Sequence, residues 1–232
     1  MDERVRSVMK ARADQERARR YREGLGWQEA EPLVAALEAA GIDPVDFGQF
    51  GAASFTTFNF GRAAPILVDW LPRVDDPRVK EAMVRSLAGQ RTARGEGSRR
   101  LIVEFRRPDY ADEASLRWAI GNTLATLAGP ADADAIIEIL DDRSAGMARQ
   151  MLCDALSRTK DPRRVAVLID LIADDPVAGH AISALRRIGR GTLPDPERVR
   201  PMLEALLVRP SATEFAQRQA RAALKTADSR GL

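Results

Sequence analysis

The chain of 232 residues is 45% hydrophobic and 30% charged, which supports a substantial buried core and excludes disorder throughout. Its formal net charge is only +2, so composition gives no reason to assume an obligatory nucleic-acid partner. The single cysteine, Cys153, excludes an intrachain disulfide, and no apolar run resembles a signal sequence or reaches the roughly 20 residues of a membrane span, so we expect a cytoplasmic protein.

The first third of the sequence differs in pattern from the rest. Residues 1–23 are strongly charged and predict a peripheral helix, and residues 28–40 predict an amphipathic helix with Leu33, Val34 and Leu37 facing inward. Because a terminal helical repeat needs its apolar face covered, we predict that residues 1–63 form a charged helix and an aromatic-rich cap. The alternative is that the aromatic segment 41–62 is an exposed docking patch. That segment contains five of the seven phenylalanines: Phe47, Phe50, Phe55, Phe58 and Phe60.

From residue 64 onward, short apolar helical patterns occur in pairs. Segments 64–89 and 163–189 both contain an apolar helix, an Asp-Asp-Pro turn and a second helix followed by glycine. Segment 133–159 is a third copy, in which Arg143-Ser144 replaces the proline step. An aspartate followed by a proline suits a helix start, because the carboxylate caps free N–H groups and the φ angle of proline is already helical. The repeat period is near 30 residues.

No long segment alternates with period two, so the predicted fold class is all-α. One helix pair cannot bury its apolar stripe alone, so consecutive pairs must stack. We therefore predict a right-handed α-solenoid of about four to five helix pairs, forming one continuous domain over residues 64–232. The predicted pairs are 64–72 with 77–88, 99–107 with 113–128, 132–141 with 145–158, 162–172 with 177–188, and 197–208 with 212–226.

These pairs resemble the repeats of a known family. The LxxLL-like first helix, the Asp-Pro turn and the second helix rich in alanine and leucine resemble bacterial HEAT-like repeat proteins, including the phycobiliprotein-lyase type of repeat. The resemblance covers roughly residues 64–226 and implies a helical-repeat architecture. It implies little about activity, because that family includes scaffolds, chromophore lyases, DNA glycosylases and iron hydroxylases.

The residues that could carry catalysis are few. His180 is the only histidine, so the several His-Glu pairs of HEAT-type iron hydroxylases cannot be formed, and it is expected to be an ordinary surface residue. Cys153 and His180 fall on second helices of adjacent repeats, but the pattern places both off the apolar stripe and indicates no third orienting group. Trp70 and Trp118 lie within helical patterns and are expected to pack between repeats. We therefore predict no catalytic, cofactor or metal site.

The clearest functional signal is a charge asymmetry. Second helices of such repeats line a concave face, and here they are rich in arginine, whereas acids concentrate on first helices and turns. This predicts a non-catalytic module that binds an acidic protein partner; the alternative is a nucleic-acid-binding protein that uses the same face, and a lyase or DNA glycosylase comes third. An ordinary solvated helical face would give the same pattern. The predicted partner-binding arginines on second helices are Arg85, Arg117, Arg149, Arg158, Arg186 and Arg187.

Loop 89–100 interrupts the repeat spacing and is also basic. It carries Arg91, Arg94, Arg99 and Arg100 against a single acid, Glu96, together with three glycines. Such a loop could clamp an anion, so Arg94, Arg99 and Arg100 join the predicted partner-binding set. It lacks the Gly-Lys-Ser/Thr ending of a phosphate-binding loop, so nucleotide binding is not predicted. A mobile insertion without function is the alternative.

Overall fold

The computed structural model of the chain describes residues 27–42, 60–190 and 193–228. These residues form α-helices joined by turns and short 3-10 segments, and they contain no β-strand. The predicted all-α class is confirmed for this part of the chain. In chain order the α-helices are α1 (Trp27–Ala39), α2 (Phe60–Trp70), α3 (Pro77–Leu87), α4 (Glu96–Phe105), α5 (Ala114–Leu127), α6 (Ala133–Asp141), α7 (Gln150–Thr159), α8 (Arg164–Asp170), α9 (Ala178–Ile188), α10 (Pro196–Val208) and α11 (Glu214–Asp228).

The predicted helix pairs match α2/α3, α4/α5, α6/α7, α8/α9 and α10/α11 within a few residues at each end. The start of α3 follows the predicted chemistry: the carboxylate of Asp76 accepts hydrogen bonds from the backbone N–H groups of Arg78 and Val79, and Pro77 occupies the first helical position. The start of α7 does not. The 3-10 segment Arg143–Arg149 contains Gly146 at φ 52°, a conformation outside the helix, so α7 begins only at Gln150.

Contacts divide the chain into two compact units, Met1–Ile120 and Gly121–Leu232. In the first unit, α2 packs against α1, α3 and α4. The inward residues predicted for α1, namely Leu33, Val34 and Leu37, are all buried. The predicted domain boundary between residues 63 and 64 stays a prediction, because residues 1–26 and most of the aromatic segment 41–62 lie outside the described residues.

The second unit contains three helix pairs whose members are in contact, α6/α7, α8/α9 and α10/α11. Its second helices also pack side by side, α7 against α9 and α9 against α11. The approach of α9 to α11 is close, because a Cβ atom added at Gly179 would lie 2.5 Å from Phe215 Cδ1. Glycine at this position therefore lets the two helices meet.

Among the described residues, each unit buries an ion pair whose cation lies at, or directly before, the start of a second helix. In the first unit, Lys80 Nζ lies 2.5 Å from Glu104 Oε2 and 4.8 Å from the ring centre of Tyr110. In the second unit, Arg149 Nη2 donates to Asp174 Oδ2 at 2.9 Å. Each cation is 0% exposed, and each reaches the carboxylate of the next helix pair along the chain. The two cations lie seven residues before the last buried leucine of their helices, Leu87 and Leu156.

Candidate functional site

The candidate site is the solvent side of α7, α9 and α11, here called the second-helix surface. The three helices carry six basic and three acidic side chains: Arg158, Arg186, Arg187, Arg218, Arg221 and Lys225 against Asp154, Glu214 and Asp228. The first helices of the same unit have the opposite balance, with Arg164, Arg198 and Arg200 against Asp134, Glu138, Asp141, Asp170, Glu197 and Glu204. The second unit therefore has the charge asymmetry that the sequence predicts.

Three predicted arginines lie on this surface, in the last turns of α7 and α9. Arg187 forms an ion pair with Asp154 of α7, and Arg186 Nη1 donates to Gln219 Oε1 of α11 at 3.1 Å. The buried Nε of Arg186 has no hydrogen-bond partner. Arg158 is exposed, and within the described residues its guanidinium has neither an ion pair nor a hydrogen bond. Basic side chains in the last turn also suit the negative end of the helix dipole.

Two aromatic rings, those of His180 and Phe215, lie among the charged side chains of the second-helix surface. The rings of His180 and Phe215 lie 4.9 Å apart, and the guanidinium of Arg218 lies 5.9 Å from the centre of the Phe215 ring. Burial lowers the pKa of His180, and the nearby carboxylate of Asp154 opposes that shift. His180 is half-buried rather than the ordinary surface residue that the sequence predicted, because its ring packs on Phe215 of the next helix pair.

Arg149 does not belong to any accessible surface, so its prediction as a partner-binding residue is wrong. Its guanidinium is enclosed by the turn that precedes α7: Nη1 donates to the carbonyl of Leu140 at 2.6 Å and Nε to that of Gly146 at 3.2 Å. The remaining nitrogen binds Asp174. A signal was present in the sequence, since Arg149 falls three and seven residues before the buried Leu152 and Leu156, on the inward stripe.

Cys153 was also misplaced by the sequence analysis. It lies on the inward side of α7 and is fully buried, not off the apolar stripe. Burial is the main reason why the pKa of its thiol is raised, with the nearby Asp154 carboxylate adding to the effect. A thiol in this environment stays protonated and behaves as a small core residue.

The two arginines predicted on second helices of the first unit, Arg85 and Arg117, contact aromatic rings. Arg85 of α3 forms an ion pair with Glu81 at 2.6 Å, and its guanidinium lies 5.6 Å from the ring centre of Trp118 on α5. Arg117 lies 4.5 Å from the centre of the buried Phe105 ring. Trp118 is 39% exposed, which differs from the packed position predicted for it. The sequence carries the reason: Trp118 falls between Leu116 and Ile120 on α5 and is therefore off its inward stripe.

Segment 89–100, predicted as a basic loop, belongs to the first unit and becomes helical at Glu96, so Arg99 and Arg100 lie on α4. Its 3-10 segment Arg91–Ala93 packs against α2, and Thr92 Oγ1 donates to the carbonyl of Gly61 at 3.2 Å. Arg99 and Arg100 both form ion pairs with Glu96, at 2.7 and 2.9 Å, so one carboxylate offsets part of their charge. The hydrogen bond from Arg99 is the main cause that lowers the pKa of Glu96. Arg94 is exposed. The predicted anion clamp is weakened by this internal carboxylate.

A cleft of about 230 Å³ lies beside this loop. Its walls are apolar at Val68, Ala93 and Pro65, and its polar groups are Asp69, Glu96, Arg100 and Thr92. Asp69 is held by Arg73 at 2.7 Å, and Glu96 by the two arginines described above. The cleft therefore has no uncompensated charge of one sign that would identify a ligand.

No group of three or more His, Cys, Asp or Glu side chains that could hold a metal ion occurs among the described residues. Within residues 27–42, 60–190 and 193–228, no helix is long and apolar enough to cross a membrane. No protein-family model, curated protein or solved structure matches the chain.

Proposed function

We propose that the chain is a non-catalytic interaction module of HEAT-like helix pairs, stacked as a right-handed α-solenoid, that binds an acidic protein segment along its second helices. The observation that carries the proposal is the charge asymmetry of the second unit, where second helices are net basic and first helices net acidic. In a solenoid of this kind the second helices line the concave face, which would bring the basic side chains together. An acidic segment would be attracted there and oriented by that field.

The repeat interpretation is supported by the side-by-side packing of α7, α9 and α11. It is also supported by the equivalent positions of Lys80 and Arg149, which join successive helix pairs in the two units. Stacking of this kind buries the apolar stripe that a single helix pair would expose.

A protein partner is favoured over nucleic acid because some of these basic side chains already form ion pairs within the chain. Arg187 is paired with Asp154, so part of the basic charge of the second-helix surface is compensated within the chain. A phosphate backbone rewards many uncompensated cations, because binding releases one condensed counterion for about every phosphate neutralised. A protein surface needs fewer such contacts and gains from aromatic and arginine anchors.

Nucleic acid remains the second candidate because of one observation, the contact of Arg218 with the half-buried ring of Phe215 on the same basic surface. Interleaved aromatic and basic side chains are also the composition of single-stranded nucleic-acid sites. A lyase or glycosylase activity comes third, and no contact among the described residues favours it.

The test is a charge reversal of two arginines of the second-helix surface, the exposed Arg158 and the half-buried Arg186, each replaced by Glu in one double variant. Binding is measured by fluorescence anisotropy with a labelled polyglutamate peptide and with a labelled DNA duplex. We expect the parent to bind the peptide and the double variant to lose at least about tenfold in affinity, because repulsion replaces attraction. Arg143→Glu, with the same charge change at an exposed position in the α6–α7 turn, is the matched control and should bind like the parent. Tight, steeply salt-dependent duplex binding without peptide binding would instead assign the surface to nucleic acid.

A further inference from the structure

Trp118 is an exposed aromatic side chain with an arginine stacked beside it. Large exposed aromatic residues are uncommon on a monomer surface and are enriched where proteins meet. Its indole is 39% exposed, and the guanidinium of Arg85 lies 5.6 Å from the ring centre. Within the described residues the indole N–H has no acceptor. Exposed area and an unused donor are therefore available at the same place.

Arg85 is fixed in position by its neighbours on α3. Glu81, one helical turn earlier, binds the guanidinium at 2.6 Å, and this orients it beside the indole. A guanidinium has five N–H donors in a planar fork, so the contact with Glu81 leaves donors for a second carboxylate. The contact reduces the side-chain entropy that Arg85 would lose on binding.

We infer that Trp118 and Arg85 form an anchor for an acidic protein segment that also carries an aliphatic side chain. A carboxylate of that segment would accept hydrogen bonds from the Arg85 guanidinium and the Trp118 indole N–H, and the aliphatic side chain would cover the exposed indole ring. The inference rests on the proposed function and specifies its partner. A segment with acidic residues only would contact the Arg85 guanidinium and the indole N–H, but it would leave the indole ring uncovered. Tryptophan and arginine are the side chains that most often dominate binding energy at protein interfaces.

The test uses Trp118 as its own reporter. The chain has three tryptophans, so the variant with Trp27→Phe and Trp70→Phe leaves Trp118 as the single emitter. Two probes are titrated, a polyglutamate peptide and a peptide of the same length in which leucine replaces every fourth glutamate. We expect the leucine-containing peptide to bind several-fold more tightly and to shift the Trp118 emission to shorter wavelength. The variant with Trp27→Phe and Trp118→Phe, which reports on Trp70, should show no shift.

The affinities of Trp118 variants for the leucine-containing peptide then show whether Trp118 contributes to binding. Trp118→Ala should weaken binding of the leucine-containing peptide by at least about tenfold. Trp118→Phe keeps an aromatic ring but removes the N–H, and it should give an intermediate loss. Val103→Ala, at a 63% exposed apolar position on α4, is the matched control and should bind like the parent. Circular dichroism establishes whether each variant is folded. If Trp118→Ala does not fold, the emission experiment still tests the anchor, because it uses a variant that keeps Trp118.

The outcomes distinguish this anchor from the proposed function. Unchanged binding by Trp118→Ala, or binding without any shift of Trp118 emission, would overturn the anchor, and the second-helix surface would stand if Arg158→Glu with Arg186→Glu still abolished binding. If Trp118→Ala loses binding while Arg158→Glu with Arg186→Glu binds like the parent, the anchor is supported and the second-helix surface is not the binding site. A parent protein that binds neither peptide would overturn both proposals.

Discussion

The buried ion pairs of the two units occupy equivalent places but are completed by different chemistry. Arg149 donates from three nitrogens, to two backbone carbonyls and to Asp174, so its guanidinium is satisfied in several directions. The ammonium of Lys80 relies on one carboxylate, Glu104, and on the face of the Tyr110 ring. Burial is the main reason why the pKa of Lys80 is lowered, and the contact with Glu104 opposes that shift. A planar fork suits full burial better than a point charge.

The carboxylates of the two pairs also differ in what remains when the cation is removed. Glu104 has a second cation, Arg107, whose Nη1 lies 3.8 Å away and whose side chain is 28% exposed. Asp174 has only the 79% exposed Arg143, at 4.0 Å. We therefore expect that removing the cation at these two equivalent positions changes the free energy of unfolding by different amounts. The difference predicts that the second unit is the more sensitive to loss of its buried cation.

The largest effect is expected for Arg149→Met, which leaves the Asp174 carboxylate buried without its main partner. Breaking a buried ion pair from one side costs about 3–5 kcal/mol. Urea denaturation followed by circular dichroism measures the change in the free energy of unfolding. Arg158→Met, on the exposed side of α7, is the control and should change that free energy by no more than about 0.5 kcal/mol. A loss below about 1 kcal/mol for Arg149→Met would mean that the pair is not structural.

Lys80→Met is expected to cost less, about 1–3 kcal/mol, because Arg107 lies close enough to take over part of the interaction with Glu104. The double variant with Lys80→Met and Glu104→Leu should recover much of the loss, since a well-packed apolar pair can replace a buried ion pair. The same denaturation series measures both. A loss that equals or exceeds that of Arg149→Met would contradict the comparison between the two units.

The helical pattern of the fold could be predicted from sequence because it depends on local rules. Apolar residues spaced by four predict an inward stripe on α5 at Leu116, Ile120 and Leu124, and all three are buried. Asp76 with Pro77 likewise predicts the start of α3. At α11 the spacing of Ser211 and Glu214 predicts a capping box, but the helix begins at Glu214, and Thr213 Oγ1 accepts the hydrogen bond from the N–H of Ala216. Serine and threonine both cap helices, so two candidates two residues apart leave the exact start open in the sequence.

The candidate site was less predictable, because the fate of an arginine depends on which side of its helix it occupies. Arg149 and Arg158 both lie in the third copy of the repeat, yet one is buried and the other exposed. Gly146 adopts a non-helical conformation, so the helix starts at Gln150 rather than near residue 145. The spacing of Arg149 from Leu152 and Leu156 indicates its inward position. The exposure of Trp118 could likewise be obtained from its place off the inward stripe.

The two units also differ in how closely a neighbour packs against a helix glycine, Gly179 in the second unit and Gly97 in the first. A Cβ atom at Gly179 would lie 2.5 Å from Phe215 Cδ1 and 3.0 Å from the backbone Cα of Ala216, so Gly179→Ala should push α9 and α11 apart and cost about 1–3 kcal/mol. In the first unit, a Cβ atom at Gly97 would lie 3.1 Å from side-chain atoms of Ala93 and Val68. Gly97→Ala should therefore cost less than Gly179→Ala in thermal unfolding. Phe215→Leu should partly restore Gly179→Ala, and no recovery would place the strain elsewhere.

The smallest expected effect concerns Tyr110, whose ring centre lies 4.8 Å from Lys80 Nζ and 4.8 Å from the Arg107 guanidinium. Burial raises the pKa of Tyr110 from its ordinary value near 10 to about 12, although the nearby Arg107 acts in the opposite direction. Between pH 10 and pH 12 the unfolded chain would lose the phenolic proton while the folded chain keeps it, so stability should fall as the pH rises through that window.

The measurement is the urea midpoint at several pH values from 9 to 11, compared between the parent and Tyr110→Phe. The parent should lose stability more steeply over this range, because only it has a phenol whose deprotonation favours unfolding. The chain has two tyrosines, so absorbance of the phenolate should show one late-titrating group fewer in Tyr110→Phe than in the parent. Comparing the two proteins at each pH also removes most of the contribution of Lys80, which both retain. Parallel curves would mean that the Tyr110 hydroxyl has a solvated environment, and that the two ion pairs differ less in their surroundings than their contacts indicate.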